Sequence, residues 1–263
     1  MAEGRSAGGR RGAPTRRRPK LSELIVEDVK RRIVTEQLKP GDRLPGEAEL
    51  IRLHGCSKGT VREALKGLEV EGLVVSRTGP GGGAWLARPT HDHASRALRN
   101  FLQFRHPDGH QIYALRKLIE PEVAVLAVGR LGPADFEVLE ANIALCAHEP
   151  VTEEEQRIQR IAEIDFHNVL ADVCPNPIFG FLGRFLNELL RDVVVLKKVY
   201  LPERRQFGLN NVDYHRRLID ALRREDAAEV RRLMLDHMCD AEDHLDALEA
   251  EVARRFLLEP GSG

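Results

Sequence analysis

Between Leu21 and Ala87 the chain carries three helix-length segments and then two short apolar runs around a glycine turn, an order that few folds accommodate. Leu24, Ile25, Val29, Ile33 and Val34 recur at three- and four-residue steps, the period of one apolar helix face. That stripe stops at Leu38-Lys39-Pro40-Gly41-Asp42, where proline and glycine punctuate the chain. Glu47 to His54 predicts a second, short helix broken by Gly55. Ser57 opens a third, because its hydroxyl can accept from an unpaired N–H of the first turn, and Gly72 ends it after Glu71. Leu73-Val74-Val75 and Ala84-Trp85-Leu86-Ala87, on either side of Gly79-Pro80-Gly81-Gly82-Gly83, predict a β-hairpin.

Three helices followed by a hairpin is the order of a winged helix-turn-helix. On its third helix Val61, Ala64, Leu65 and Leu68 share one face and are expected to pack inward. Lys58, Arg62 and Lys66 lie four apart on another face, with Gly59 and Thr60 near the helix start. A cationic stripe on the outer side of the second helix of such a motif suits docking in the major groove of DNA. Gly59 lets backbone approach a phosphate closely, and the helix N-terminus attracts anions. The same spacing also fits a plain solvated face, with Arg62 paired to Glu63 or Glu69.

The charge balance separates the two halves of the chain. Residues 1–90 hold 18 Lys and Arg against 11 Asp and Glu, whereas residues 91–263 hold 22 against 30. A net charge of −1 therefore conceals a basic first third, suited to a polyanion, and an acidic remainder. Residues 1–20 hold seven basic residues and almost nothing to bury, which predicts a disordered basic arm. The arm lacks the apolar segment of a secretory signal, and no apolar run reaches the roughly 20 residues that span a bilayer. Cys56, Cys146, Cys174 and Cys239 are scattered without a C-x-x-C pair, which fits reduced thiols in a cytoplasmic protein.

Beyond Thr90 helical periods dominate, near 94–105, 109–130, 133–148, 153–173, 177–200, 205–223 and 226–256. Pro121 is expected to kink or split the second of these, whereas Pro177 sits at a first turn, where its missing N–H costs nothing. Seven helices with short connections predict an all-α antiparallel bundle. The expected organisation is a basic arm (1–20), a winged helix-turn-helix (21–88), a linker (89–94), a helical domain (95–256) and a flexible tail (257–263). The fold class is mainly α.

Within the bundle Glu163 and His167 are one helical turn apart and face the same way, while Asp165 points elsewhere. His215 and His237 lie mid-helix on two further helices. Three histidines and a carboxylate from three helices can converge on a divalent metal in a bundle core. Each histidine alone also fits a hydrogen-bonded core or surface role, the reading given to His54, His91, His93, His106, His110, His148 and His244.

The stretch Leu38 to Leu50, followed by Gly55-Cys56-Ser57-Lys58-Gly59-Thr60-Val61-Arg62-Glu63-Ala64-Leu65 and Glu71-Gly72-Leu73-Val74, closely resembles the GntR family of winged-helix regulators over about residues 21–88. The resemblance implies DNA contacts from Ser57, Lys58, Thr60 and Arg62, with Gly79 at a wing tip that enters the minor groove. Many relatives carry arginine where Ala48 stands, and arginine is common at the position of Lys58, which lacks the bidentate fork to guanine. Both departures point to a different operator.

Leu115-Arg116-Lys117-Leu118-Ile119-Glu120-Pro121, Glu163-Ile164-Asp165-Phe166-His167, Asn176-Pro177, Tyr214-His215 and His237 resemble the FCD domain of the FadR-type subgroup over about residues 95–250. That resemblance implies a divalent metal, zinc above all with nickel or manganese as alternatives, held by Glu163, His167, His215 and His237. It also implies a small carboxylate effector anchored by Arg116. Aspartate is usual where Glu163 stands. The expected protein is a homodimeric repressor or activator, a repressor by preference, on a palindromic DNA operator and controlled by an organic acid. The competing expectation is a metal-dependent hydrolase or isomerase with an accessory nucleic-acid-binding domain.

Overall fold

The computed structural model describes residues 18–79, 81–105, 107–196 and 205–258. The chain divides into two compact units, with the division between Leu98 and Arg99. The arm up to residue 17, His106 and residues 259–263 of the expected tail lie outside the described residues.

The first unit contains α1 (Leu21–Thr35), α2 (Glu47–His54), α3 (Lys58–Val70), β1 (Val74–Arg77) and β2 (Gly83–Leu86). Its core joins Ile25 and Val29 of α1 to Leu50, Val61, Ala64, Leu68, Val74 and Leu86. Leu24 and Val34, expected on the buried stripe, are exposed instead. Residues 25, 29 and 33 already fill the face that meets α3, and Leu24 and Val34 fall a hundred degrees to either side. The two strands pair antiparallel, with Val74 opposite Leu86 and Arg77 opposite Gly83. The loop before α2 joins them, since Leu44 N–H donates to the Ala84 carbonyl at 2.9 Å. Glycine is obligatory at one point of the turn: a Cβ on Gly82 would sit 2.4 Å from the Arg77 carbonyl oxygen.

A helix, α4 (His91–Leu102), begins inside the stretch expected to be a linker. Thr90 initiates it, its carbonyl accepting His93 N–H at 3.2 Å and its hydroxyl lying 2.8 Å from His93 Nδ1. The second unit is built from α5 (Gly109–Ala127), α6 (Pro133–Cys146), α7 (Glu153–Asp172), α8 (Pro177–Leu196), α9 (Arg205–Arg223) and α10 (Ala227–Leu258). Two starts carry reciprocal caps: Asp108 with Gln111 on α5, and Thr152 with Glu155 on α7. Of the kink or split expected at Pro121, the split does not occur: α5 continues through the proline as one helix. The proline removes one backbone bond, to the Lys117 carbonyl, and packing of α5 against α8 and α10 outweighs that loss. Phe166, Leu139, Leu170, Leu218, Leu233, Met234 and Met238 fill the bundle core. None of the described helices is long and apolar enough to cross a membrane.

Candidate functional site

In α3 the apolar period and the capping serine together fix which side chains face out. Val61, Ala64, Leu65 and Leu68 are buried, leaving Lys58, Gly59, Arg62 and Lys66 exposed. Ser57 Oγ accepts Thr60 N–H at 3.2 Å and lies 3.0 Å from the Thr60 hydroxyl, which ties both polar groups to the helix start. A Cβ added to Gly59 would meet only Ser57 Oγ, at an ordinary 3.6 Å, so the fold itself does not demand glycine there.

Arg62 pairs with neither Glu63 nor Glu69. Its Nε lies 3.1 Å from Glu47 Oε1, while Lys58 Nζ lies 3.7 Å from Glu47 Oε2. One carboxylate in the first turn of α2 thus steadies two cations of the stripe, a role that spacing within α3 could not reveal. Glu69 instead accepts from Ser76 N–H at 2.9 Å. Gly79, at the wing turn, is exposed with φ +91°. Two further cations stand beside the wing, Arg77 4.6 Å and Arg43 5.9 Å from the centre of the Trp85 ring.

In the second unit His167 of α7, His215 of α9 and His237 of α10 converge, with one ring nitrogen of each within 4.8 Å of the others. All three are buried, and Nε2 of His215 lies 3.2 Å from Nε2 of His237. Burial first, then the neighbouring histidine and Arg116, push His215 and His237 well below the ordinary imidazole range. Both rings are therefore neutral at physiological pH. At most one N–H can sit between two facing Nε2 atoms, so at least one lone pair points at its neighbour unless a cation lies between them.

Arg116 and Glu120, one turn apart on α5, support this cluster and are almost fully buried, at 2 and 3 % exposure. Arg116 Nε donates to Glu120 Oε1 at 2.7 Å. Glu120 Oε2 lies 2.6 Å from His167 Nδ1, an ion-pair distance off the line of an aligned hydrogen bond. Burial opposes the charge on Glu120, but Arg116 and His167 outweigh it and bring the carboxyl down to about 2. Glu120 was visible in the sequence only as a member of the Leu115–Pro121 motif, with no role of its own. Its partner His167 is 47 residues away, beyond the reach of any local pattern.

These groups open on a cavity of about 60 Å³ whose lining includes Tyr113, Arg116, Arg160, Glu163, Asn211 and the three histidines. Glu163, one turn from His167, lies outside the histidine cluster, with its Oε2 2.6 Å from Arg160 Nη1.

A sequence model described as "Bacterial regulatory proteins, gntR family" matches residues 21–82, and one described as "FCD domain" matches residues 111–240. The chain joins a GntR-type DNA-binding domain to an FCD domain. This GntR chain is 28% identical over 228 residues to the "HTH-type transcriptional repressor NanR" of Citrobacter rodentium, covering 84% of each chain. It is 29% identical over 244 residues to the NanR of Cronobacter sakazakii, covering 90% of this chain and 88% of that one. A solved structure, "Streptococcus agalactiae GntR", matches with a TM-score of 0.58 at 20% identity, over 85% of this chain and 99% of that one, which supports the fold. The chain is a DNA-binding transcriptional regulator with a C-terminal FCD domain, and this pair of domains decides against the hydrolase expectation.

Proposed function

We propose that this GntR regulator is a homodimeric repressor that leaves its operator when a small organic acid binds at a divalent metal in the FCD domain. The observation that carries this reading is the meeting of three buried imidazoles from three helices beside Arg116. The donor set fits a metal. Neutral ring nitrogens are good ligands for zinc or nickel, and His237 Nδ1 is a buried ring nitrogen with no hydrogen-bond partner. His167, His215 and His237 would hold the ion, and Glu163, on the cavity wall one turn from His167, would have to exchange its Arg160 partner at 2.6 Å for the metal to serve as the fourth donor. Bound there, the metal supplies a Lewis-acidic position for a carboxylate. Glu120 orients the His167 ring from behind, as carboxylates commonly do for ligating histidines. Arg116, fixed by Glu120, presents its guanidinium to the acid.

On DNA, the exposed Lys58, Arg62 and Lys66 face the major groove, with Ser57 and Thr60 at the helix start and Gly79 leading the wing. Gly59 leaves room for a phosphate at a place where packing leaves the choice of residue open. One small module of this kind buries too little surface for strong specificity, so two copies on a palindrome follow from the size of the reader. The relatives are named repressors, which supports that sign of regulation. Metal analysis of purified protein tests the site: one divalent ion per chain is expected, lost in the His215→Ala/His237→Ala double variant. Metal retained by the folded double variant would overturn the ligand assignment.

A further inference from the structure

The outer face of the wing gathers hydrogen-bond donors with almost no acceptors. The register that pairs Val75 with Trp85 and Arg77 with Gly83 puts these four on one face of the hairpin, while Val74, Ala84 and Leu86 are buried on the other. Trp85 is thus an outward, half-buried ring, and two cations stand over it, Arg77 at 4.6 Å and Arg43 at 5.9 Å from its centre. Arg43 reaches the ring from the loop before α2, where its backbone bridges to Trp85. Its Nη2 donates to the Gly82 carbonyl at 2.9 Å, which fixes the guanidinium against the turn. Lys58 and Arg62 share the carboxylate of Glu47, but among the described residues no carboxylate pairs with Arg43 or Arg77. Trp85 Nε1 is shielded from solvent and has no hydrogen-bond partner either.

Arginine and tryptophan side chains offer N–H donors and no acceptor. The ring face attracts each cation weakly at an exposed position, and the two cations repel one another. An anion with several oxygens removes the repulsion and accepts from both guanidiniums at once. We infer that Arg43 and Arg77, levelled on Trp85, form a binding site for a phosphate of the DNA backbone beside the groove that the wing enters. The inference rests on the DNA-binding role of the winged helix and adds an attachment point separate from α3. Base edges also offer acceptors, but position and charge favour the backbone. Arg77 lies two residues before Gly79, roughly 7 Å down the stem of the wing, so a tip in the groove brings the stem to the flanking strand. A doubly cationic site also suits a phosphate better than an uncharged base.

The test uses the full-length protein, a duplex that it selects from a random pool, and a scrambled duplex of the same composition. Arg77→Gln is expected to weaken binding to both duplexes by a similar factor, about tenfold. It also flattens the fall of log affinity with log salt by about one for each bound chain. Arg77→Lys keeps the charge but loses the planar fork, so it recovers the salt slope and only part of the affinity. Trp85 is the only tryptophan of the chain, so its emission reports on this site alone. Emission changes when the wild type binds either duplex and stays constant when the Arg43→Gln/Arg77→Gln double variant is saturated with DNA. Thermal melting confirms that the variants are folded. Loss confined to the selected duplex would make Arg77 a reader of bases and overturn the phosphate assignment, as would an unaltered salt slope. Unchanged affinity for both duplexes would leave the two arginines as a cap on the ring and overturn the site. Failure of the wild type to select any duplex would overturn the DNA-binding role itself.

Discussion

The two units handle charge in opposite ways. In the DNA-reading unit the important cations are solvent-facing: Arg62 and Lys58 have side chains more than 60 % exposed and share Glu47 at 3.1 and 3.7 Å. In the FCD unit Arg116, Glu120 and His167 are at most 4 % exposed, and the Glu120 carboxylate lies within 2.7 Å of both Arg116 and His167. Exposed pairs contribute about 0–1 kcal/mol, because water already solvates both partners. A buried network contributes little net energy when intact, yet breaking it leaves an uncompensated charge in the core. The first arrangement keeps cations available to exchange one anion for another. The second holds groups in one geometry, as a ligand site requires.

Breaking the buried side of this contrast gives the largest effect. Glu120→Ala leaves Arg116 buried without its carboxylate and is expected to cost about 3–5 kcal/mol, read from urea unfolding. A loss below about 1 kcal/mol would mean that water or another group takes over, and the contrast between the units would collapse. On the exposed side, Arg62→Ala is expected to change unfolding by no more than about 0.5 kcal/mol. In a mobility-shift assay the same variant loses its preference for operator over unrelated DNA, by about 1–3 kcal/mol. Unchanged operator affinity would remove Arg62 from the site. The smallest effect comes from Gly59→Ala, which replaces the poorer helix former and raises stability by up to about 1 kcal/mol. It weakens DNA binding at the same time. Stabilisation with unchanged DNA affinity would show that no phosphate comes close to this backbone.

The contrast also explains what could be read in the sequence. The winged helix was legible because its determinants are local: Ser57 caps the helix that bears Arg62, and Gly79 to Gly83 turn the hairpin they interrupt. The histidines could be marked as candidates by their mid-helix positions, but only the bundle brings α7, α9 and α10 together. Glu47 and Glu120 had no visible role, because each acts on residues of another helix. The split allowed for at Pro121 did not occur for a related reason, since local rules count its lost hydrogen bond but not the packing of α5 against α8 and α10.

The central claim is that the acid acts through the metal site. It is tested most directly by measuring operator affinity with and without each of a panel of small organic acids (acetate, lactate, succinate, malate), for zinc-loaded protein, for protein stripped of metal, and for the His215→Ala/His237→Ala double variant. The account predicts that the acid weakens the operator complex only in the zinc-loaded wild type. An equal response from stripped protein would contradict it.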